Sequence, residues 1–329
     1  MTTICVDVMG ADKEPAVLLE GVAAALEGDP ELEALVAGDA SVVEPFCAAH
    51  ARARALVTTE VIAMSEHPAS AVRKKRDASI VRAAAAVRAG EADGLFSAGS
   101  TGAVLTAATF GVGRVRGIKR PALSLSFPGT SGRSTVFLDM GANADVKPDV
   151  IVQFAQMGRA YARTVLGVDE PRVGLLTNGS EETKGSEMAL AYHEALAAGN
   201  CGFSGNAEGT DLLAGTFDVI VADGFTGNVA LKSVEGTGKF MIGRLKAAMG
   251  ESLSHKIGMA LLKDPLKKMA SDLSGDEYGG AILLGLRAPV VKGHGATSAR
   301  AVCQGTLFAA SLARSGLCAQ IADACEIAR

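Results

Sequence analysis

The stretch Val219-Ile-Val-Ala-Asp-Gly-Phe-Thr-Gly-Asn228 joins a short apolar run to a glycine-rich polar turn, and a helix-like segment follows it. Similar turns occur at Asp7–Asp12, Ser97–Gly102, Asp139–Asn143 and Thr177–Gly185. In an open parallel sheet such turns gather outside the carboxyl ends of the strands, where ligands bind. Glycine leaves the backbone N–H groups at helix starts accessible, and these groups favour anions. The pattern predicts an enzyme with a phosphate-like ligand at one edge of a sheet.

Apolar runs that alternate with helical patterns predict the fold. The runs are mostly continuous, which is typical of parallel strands covered on both faces. The order predicts an α/β fold, a Rossmann-like, doubly wound and mostly parallel sheet in a single domain over residues 1–329. The predicted strands are Ile4–Val8, Leu35–Ala37, Gly94–Ser97, Ala122–Phe127, Ser134–Leu138, Val173–Leu176 and Val219–Ala222; the predicted helices are Pro15–Leu26, Ser79–Ala89, Thr101–Phe110, Pro148–Leu166, Glu187–Ala197, Asn228–Met249 and Thr297–Ala313.

Two segments depart from this alternation. The loop Pro128-Gly-Thr-Ser-Gly132 joins two predicted strands directly, which indicates an antiparallel hairpin. We expect this hairpin at an edge of the sheet. A helical excursion is expected at about residues 250–275, before the closing helix.

The composition limits the class of protein. Hydrophobic residues make up 48% of the 329 residues and charged residues 21%, as in ordinary globular proteins. The net charge of −4 and the aromatic content of 4% argue against nucleic-acid binding, which uses basic surfaces and stacking side chains. The six cysteines are scattered, so free thiols are expected. No secretory signal and no spanning segment are visible, and these features predict a cytoplasmic protein.

The familiar nucleotide and metal motifs do not occur. Phe240 follows Gly238-Lys239 where a phosphate-binding loop needs Ser or Thr, and Gly117 lies one position too late for a dinucleotide pattern. The five histidines show no metal-ligand spacing, and no nucleophile elbow is present. We therefore expect no metal and no cofactor, and an anion smaller than a nucleotide.

Polar residues in the turns are candidates for binding this anion. Lys184 precedes a helix, where its ammonium can hold an anion or pair with a glutamate at the surface. Asn143 and Asn228 can bind a ligand or cap helices, and Asp223 can orient a partner or close its own turn. Ser100 and Thr101 can donate to phosphate oxygens or cap the following helix.

A basic run consists of Arg73, Lys74, Lys75 and Arg76. Such a run is usually a solvated face. In an acidic protein it can instead dock an anionic partner.

Taken in order, the motifs resemble the phosphate acyltransferase (PlsX) family of bacterial phospholipid synthesis. The resemblance extends from Ile4 to about Leu312. Ala11 and Ser100 depart from the Gly and Asn that the family more often has. The motifs are Asp7–Asp12 with Pro15, Val72–Ser79, Ser97–Ala103, Asp139–Asn143, Gly179–Gly185, Asp223–Lys232, Glu277–Ala281, Leu283–Gly285 and His294–Gly295.

The resemblance implies a Rossmann-like homodimer that converts acyl-[acyl carrier protein] and inorganic phosphate into acyl phosphate and free carrier. The product would feed glycerol-3-phosphate acylation, so the expected partners are acyl carrier protein, inorganic phosphate and a membrane glycerol-3-phosphate acyltransferase. The alternative is a phosphate acetyltransferase acting on acetyl-CoA. A decarboxylating dehydrogenase of related architecture is less favoured, because no cofactor motif is present.

The roles of single residues are our own physical inference. We assign catalysis to Lys184, Asn228 and His294, and docking of the carrier to Arg73, Lys74, Lys75 and Arg76. The phosphate- and substrate-binding candidates are Gly99, Ser100, Thr101, Asn143, Gly179, Glu182, Gly185, Asp223, Thr226 and Gly227.

The segment Leu253–Leu273 supports a second hypothesis. Its apolar residues fall on two helical faces around Pro265, and lysines form a cationic side. Such a helix pair can lie on the inner face of an anionic membrane. It can equally pack on the core or on a second subunit.

Overall fold

The computed structural model describes residues 1–249, 258, 261–262, 265 and 279–326. The helices are α1 (Pro15–Gly28), α2 (Ala40–Ala49), α3 (Pro68–Lys74), α4 (Ser79–Ala89), α5 (Thr101–Phe110), α6 (Pro148–Leu166), α7 (Glu187–Ala198), α8 (Gly224–Met249), α9 (Ala299–Ser315) and α10 (Leu317–Glu326), with a 3-10 turn at Gly209–Leu212. The strands are β1 (Thr2–Asp7), β2 (Leu32–Gly38), β3 (Ala53–Val57), β4 (Gly94–Ser97), β5 (Ala122–Pro128), β6 (Ser134–Leu138), β7 (Val173–Leu176), β8 (Phe203–Ala207), β9 (Val219–Val221), β10 (Ala281–Leu284) and β11 (Val290–Lys292).

These strands form one mixed sheet in the order β3-β2-β1-β4-β11-β10-β5-β6-β9-β7-β8. Strands β3, β2, β1, β4 and β11 are parallel to one another, and so are β6, β9, β7 and β8. Between these two blocks, β10 pairs antiparallel with both β11 and β5, and β5 pairs antiparallel with β6. The predicted α/β fold with a mostly parallel sheet and an antiparallel hairpin is confirmed.

The three antiparallel pairings reverse the direction of the second block. The carboxyl ends of β1, β4 and β11 therefore lie at one edge of the sheet, and those of β6, β7 and β9 lie at the opposite edge. The expectation that all five glycine-rich turns gather at one edge is wrong. It assumed a fully parallel sheet, whereas an odd number of reversals separates the two blocks.

The position predicted for the hairpin is also wrong. The hairpin β5–β6 lies inside the sheet, with β10 on one side and β9 on the other. Its strands are buried on both faces, and Phe127 and Phe137 are fully buried. Such two-sided burial is possible only for strands with neighbours and covering helices.

Apolar side chains on the two faces of the sheet form two cores. One core includes Leu18 of α1, Phe154 of α6 and Val302 of α9. The other includes Ile80 of α4 and Val104 of α5, with Val234 of α8 packed against it. Helices thus cover both faces, as in a doubly wound fold.

Two sequence predictions fall on other parts of the chain. The expected helical excursion at about residues 250–275 and the proposed membrane segment Leu253–Leu273 lie outside the described residues, apart from a few isolated positions.

All six cysteines are free, and Cys5, Cys201 and Cys325 are buried.

Candidate functional site

The turns that follow β6, β7 and β9 are called here the second-half turns: Asp139–Asn143, Thr177–Gly185 and Asp223–Asn228. Asp139 organises the first of them from a fully buried position. Its Oδ1 accepts the backbone N–H groups of Leu123 (2.9 Å) and Ala142 (3.0 Å). Its Oδ2 accepts the N–H of Asn143 (2.7 Å) and the Asn143 side-chain amide (2.9 Å). Burial raises the pKa of Asp139, and these donors oppose that change.

Helix α8 starts in close contact with this turn because Gly224 and Gly227 in its first turn have no side chain. A Cβ atom at Gly227 would overlap the carbonyl oxygen of Asp139. Gly141, whose φ is +121°, approaches Asn228 so closely that a Cβ there would lie 3.5 Å from the Asn228 Oδ1. The exposed side chain of Asn228 is thereby held beside the turn.

Asp223 caps α8. Its Oδ1 accepts the N–H of Thr226 at 2.8 Å, and its Oδ2 accepts the Thr226 hydroxyl at 3.1 Å. The polar side chains of Asp223 and Thr226 are therefore engaged with each other at the start of the helix. Asn228 lies inside α8, and Asn143 binds Asp139 and the carbonyl of Pro121, so neither asparagine caps a helix.

Hydrogen bonds fix part of the turn after β7, and the other residues of the turn are exposed. Thr177 Oγ1 donates to the carbonyl of Gly179 at 2.7 Å, and Asn206 Nδ2 donates to the carbonyl of Glu181 at 2.8 Å. Asn206 is buried, and its Oδ1 lies 2.9 Å from His193 Nδ1. Lys184, Glu182 and Gly185 are exposed, and α7 begins at Glu187 with Ser186 as its cap. The Lys184 ammonium therefore stands at the rim of the turn.

The turns at the opposite edge are called here the first-half turns: Asp7–Asp12, Ser97–Gly102 and His294–Gly295. Asp7 is buried, accepts the Ser97 hydroxyl at 2.8 Å and accepts the Met9 N–H at 3.2 Å. Burial raises the pKa of Asp7, and hydrogen bonds from Ser79 and Ser97 partly offset this. Ser97 in turn accepts the N–H of Gly99 at 3.1 Å.

The candidates at this edge start α5 or follow β11. Ser100 is the residue before α5 and makes no side-chain capping bond, and Thr101 is the first helical residue. His294 is exposed, and its Nδ1 accepts the N–H of Ala296 at 3.2 Å. The N–H of Asp12 donates to the carbonyl of Gly295 at 3.0 Å, which joins this turn to the one after β1.

The structure thus divides the candidates into two groups. Gly99, Ser100, Thr101 and His294 belong to the first-half turns. The second-half turns hold Asn143, Gly179, Glu182, Lys184, Gly185, Asp223, Thr226, Gly227 and Asn228. Lys184 and Asn228 share an edge, whereas His294 lies at the other one.

Lys292 is a residue that the sequence analysis missed. It ends β11, pairs in register with Ser97 and lies on the same sheet face as Val290 and α8. Burial lowers the pKa of Lys292, and the nearby Lys232 of α8 lowers it further, whereas Asp12 and Glu235 act in the opposite sense. The sequence signal was a buried apolar strand, Val290-Val291, that ends in a lysine and a glycine.

The basic run lies on and just after α3. Arg73, Lys74 and Arg76 are exposed. Lys75 is different, because its ammonium donates to Glu66 and to the carbonyl of Val61, both at 2.7 Å. Three of the four residues predicted for docking therefore present free surface charge, and Lys75 is part of the local structure.

Comparison with known proteins shows the family. The family model described as "Fatty acid synthesis protein" matches residues 2–320. The phosphate acyltransferase of Limosilactobacillus fermentum is 48% identical over 295 residues, covering 88% of this chain and 86% of that protein. That of Lacticaseibacillus casei is 44% identical over 322 residues, covering 97% and 94%.

The chain belongs to the phosphate acyltransferase family. Solved structures agree on the fold. A phosphotransacetylase from Streptococcus pyogenes superposes with a TM-score of 0.59 at 17% identity over 94% of both chains. A 4-hydroxythreonine-4-phosphate dehydrogenase from Klebsiella pneumoniae gives a TM-score of 0.53 at 14% identity, covering 95% of this chain and 100% of that one. The chain is a phosphate acyltransferase of lipid synthesis that shares its overall fold with these structures.

Other surface features of this phosphate acyltransferase lie away from the turns. A cavity of about 490 Å³ is lined by Arg133, Arg172 and Asp218, which precede β6, β7 and β9 and so face the edge opposite the second-half turns. Among the described helices, none is long and apolar enough to cross a membrane.

Proposed function

We propose that this phosphate acyltransferase moves a fatty acyl group from acyl carrier protein to inorganic phosphate. Family membership carries the proposal, and the second-half turns support it, since they place N–H groups, an amide and a lysine at one sheet edge. Such groups can bind a small oxyanion without a metal ligand set.

In the proposed reaction a phosphate oxygen attacks the thioester carbonyl carbon. A C–O bond forms, the C–S bond breaks, and the proton of hydrogen phosphate goes to the departing thiolate. The products are acyl phosphate and the carrier thiol. The protein needs only to position the phosphate and to stabilise the oxyanion formed at the carbonyl.

We assign the phosphate clamp to Lys184 and to the N–H groups of Gly179–Gly185. Asn228 and the turn Asp223–Gly227 would donate to phosphate or to the oxyanion, with Asn143 beside them. Gly99, Ser100, Thr101 and His294 would contact the acyl donor from the first-half turns, and His294 would relay the proton of hydrogen phosphate to the thiolate. This division follows the two sheet edges.

The roles of Lys184 and Asn228 can be tested by alanine substitution. We expect Lys184→Ala and Asn228→Ala each to lower the rate of acyl phosphate formation by about 10²-fold, since one oxyanion donor is typically worth that much. Hydroxylamine trapping of acyl phosphate measures the rate. Lys13→Ala, an exposed lysine outside the turns, is the control. Wild-type rates and an unchanged phosphate KM in both variants would contradict the assignment.

The acyl donor is the second point to test. The alternative donor is acetyl-CoA, the substrate class of a phosphate acetyltransferase. Turnover of acyl carrier thioesters of several chain lengths should exceed turnover of acetyl-CoA at equal concentration and saturating phosphate. The reverse order would favour the alternative.

The exposed part of the basic run is proposed to dock the acyl carrier. α3 packs against α5, with Pro68 beside Gly102, so the run lies next to the first-half turns. Arg73→Glu combined with Lys74→Glu should raise the KM for the carrier several-fold, most strongly at low salt. Glu substitutions at Lys119 and Lys147, also exposed, provide the control. An unchanged carrier KM would remove the docking assignment.

We further propose that the chain works as a single-domain homodimer in the cytoplasm, with peripheral contact to the inner face of the membrane. The segment Leu253–Leu273 would make that contact, close to a membrane glycerol-3-phosphate acyltransferase that uses the product. Liposome flotation of wild type and Leu266→Glu tests the membrane part. Equal flotation on anionic vesicles would argue against it.

A further inference from the structure

Helix α8 connects the second-half turns to a cationic position at the first-half edge. Asn228, Lys232 and Glu235 occur at helical positions i, i+4 and i+7, so they share one face of α8. Asn228 lies beside Gly141 in the second-half turns. Val234 of the same helix packs against the core that contains Val290 of β11, and one and two turns beyond Asn228 the charges of Lys232 and Glu235 act on Lys292 at the end of that strand.

Lys292 is partly buried, and its charge is not balanced by contact. Among the described residues, no ion pair within 4.0 Å and no side-chain hydrogen bond involves its ammonium. Glu235 is occupied by Lys232, whose Nζ lies 2.8 Å from the Glu235 Oε2. A poorly solvated ammonium without a close partner is costly, and an anionic ligand removes that cost.

The surroundings of Lys292 fit a small oxyanion. It is in register with Ser97, the residue that precedes the Gly99–Thr101 turn and the start of α5. The N–H of Gly293 donates to the carbonyl of Ser97 at 2.9 Å, which fixes the end of β11 beside β4. The carboxylate of Asp12 lies over Gly295 and is too far from the Lys292 ammonium to form an ion pair with it.

We propose that Lys292, together with Lys232, binds the phosphate that is acylated. The pair would hold the anion between β11 and α8, where Asn228 on the same helix face reaches toward the thioester carbonyl. This inference rests on the proposed function and adds to it a phosphate ligand from the first-half edge. The two assignments differ in the edge that supplies the main phosphate ligands, and the phosphate KM of Lys184→Ala compared with that of Lys292→Met decides between them.

Phosphate kinetics test this inference. Lys292→Met should raise the phosphate KM by about 10- to 100-fold, the loss expected for one charge-assisted contact, and leave the KM for the acyl donor within twofold. Lys292→Arg should recover most of the phosphate affinity. Lys232→Met should give a smaller increase, and Lys239→Met, an exposed lysine further along α8, should give none.

A binding measurement separates this inference from the proposed function. Inorganic phosphate at constant ionic strength should raise the thermal unfolding temperature of the wild type and of Lys239→Met, and should not raise that of Lys292→Met. This measurement needs no acyl transfer. If the wild type made no acyl phosphate, the proposed function would be refuted. The change in unfolding temperature on adding phosphate would still test Lys292.

Two results would overturn the inference. One is an unchanged phosphate KM together with an unchanged phosphate-induced shift of the unfolding temperature in Lys292→Met. The other is a raised KM for the acyl donor alone, which would place Lys292 on the donor side. If Lys292→Met does not fold, Lys292→Gln, which also removes the charge, and Lys232→Met decide the outcome by the same two measurements.

Discussion

The first-half and second-half turns are each organised around a buried aspartate, but the two aspartates accept hydrogen bonds from different kinds of donor. Each contains a buried aspartate at the end of a strand, Asp7 after β1 and Asp139 after β6. Asp139 accepts four N–H groups and has both oxygens doubly occupied. Asp7 accepts the Met9 N–H and the rotatable Ser97 hydroxyl, and hydrogen bonds from the Ser79 hydroxyl and the Gly10 N–H also lower its pKa. Both sets of turns are therefore organised around a carboxylate, but N–H groups alone hold Asp139, whereas two of the donors to Asp7 are hydroxyls that can rotate.

The largest expected effect on stability comes from a substitution at Gly227, where α8 contacts the Asp139 turn. Gly227→Ala should destabilise the protein by about 2–3 kcal/mol, because its Cβ overlaps the Asp139 carbonyl oxygen and pushes α8 off the second-half turn. Acyl phosphate formation should fall as well, since Asn228 moves with α8.

A glycine on the same helix provides the matched control. A Cβ atom at Gly236 would meet no atom of a neighbouring element within 4 Å, so Gly236→Ala should stabilise α8 by about 0.5–1 kcal/mol. Urea unfolding measures both variants. Equal midpoints would show that the contact between α8 and the Asp139 turn is not tight.

The two aspartates give the next largest effect. Asp139→Asn must place an NH₂ group against two N–H donors, whichever way the amide is turned, and should cost about 3 kcal/mol. Asp7→Asn can donate its NH₂ to the Ser97 hydroxyl oxygen and should cost about 1 kcal/mol. Urea unfolding at pH 7 compares them, and equal losses would erase the distinction between the two sets of turns.

The pH dependence of Asp7 gives the smallest effect. Burial raises the pKa of Asp7 above its ordinary value of 3.8. The unfolded carboxyl therefore ionises before the folded one, and folding stability is lost as the pH rises from about 3.8 through the raised pKa. Asp7→Asn removes this loss, so the gap in unfolding free energy between wild type and variant should narrow as the pH rises. Asp323→Asn, at an exposed position, is the control. A gap that widens with pH would contradict the raised pKa.

Local sequence patterns were sufficient to predict most of the elements. The predicted bounds of α4, α5, α6, β4, β6 and β7 agree with the structure. These segments have strong apolar patterns and clear stops, such as Gly90 and Gly167 in left-handed conformations after α4 and α6. Weaker strands were missed, among them β3 with its largely exposed residues and β8 with Gly205 and Asn206.

Strand pairing was not predictable from the same patterns. A buried run such as Ala122–Phe127 looks the same in either direction and at any central position. The pairings of β10 with β5 and of β11 with β4 join residues more than 150 positions apart, and the antiparallel pairings of β10 with β11, of β10 with β5 and of β5 with β6 reverse the second block. The division of the candidate site between two edges follows from these pairings alone. Lys292 was missed for a related reason, since its neighbours Ser97 and Lys232 are distant in sequence.

The central position of β10 and β11 sets the order in which a newly made chain can complete its sheet. These strands are formed by residues 281–292 and lie between β4 and β5, which are made long before them. While the chain is still being synthesised, its two blocks have no hydrogen-bonded connection across the sheet through β11 and β10. The last tenth of the chain must leave the ribosome before α9 covers them, and folding that depends on such distant contacts is slow. Removing α9 together with α10 would thus uncover β4 and β11 in the middle of the sheet, in addition to the α9 contact with α1.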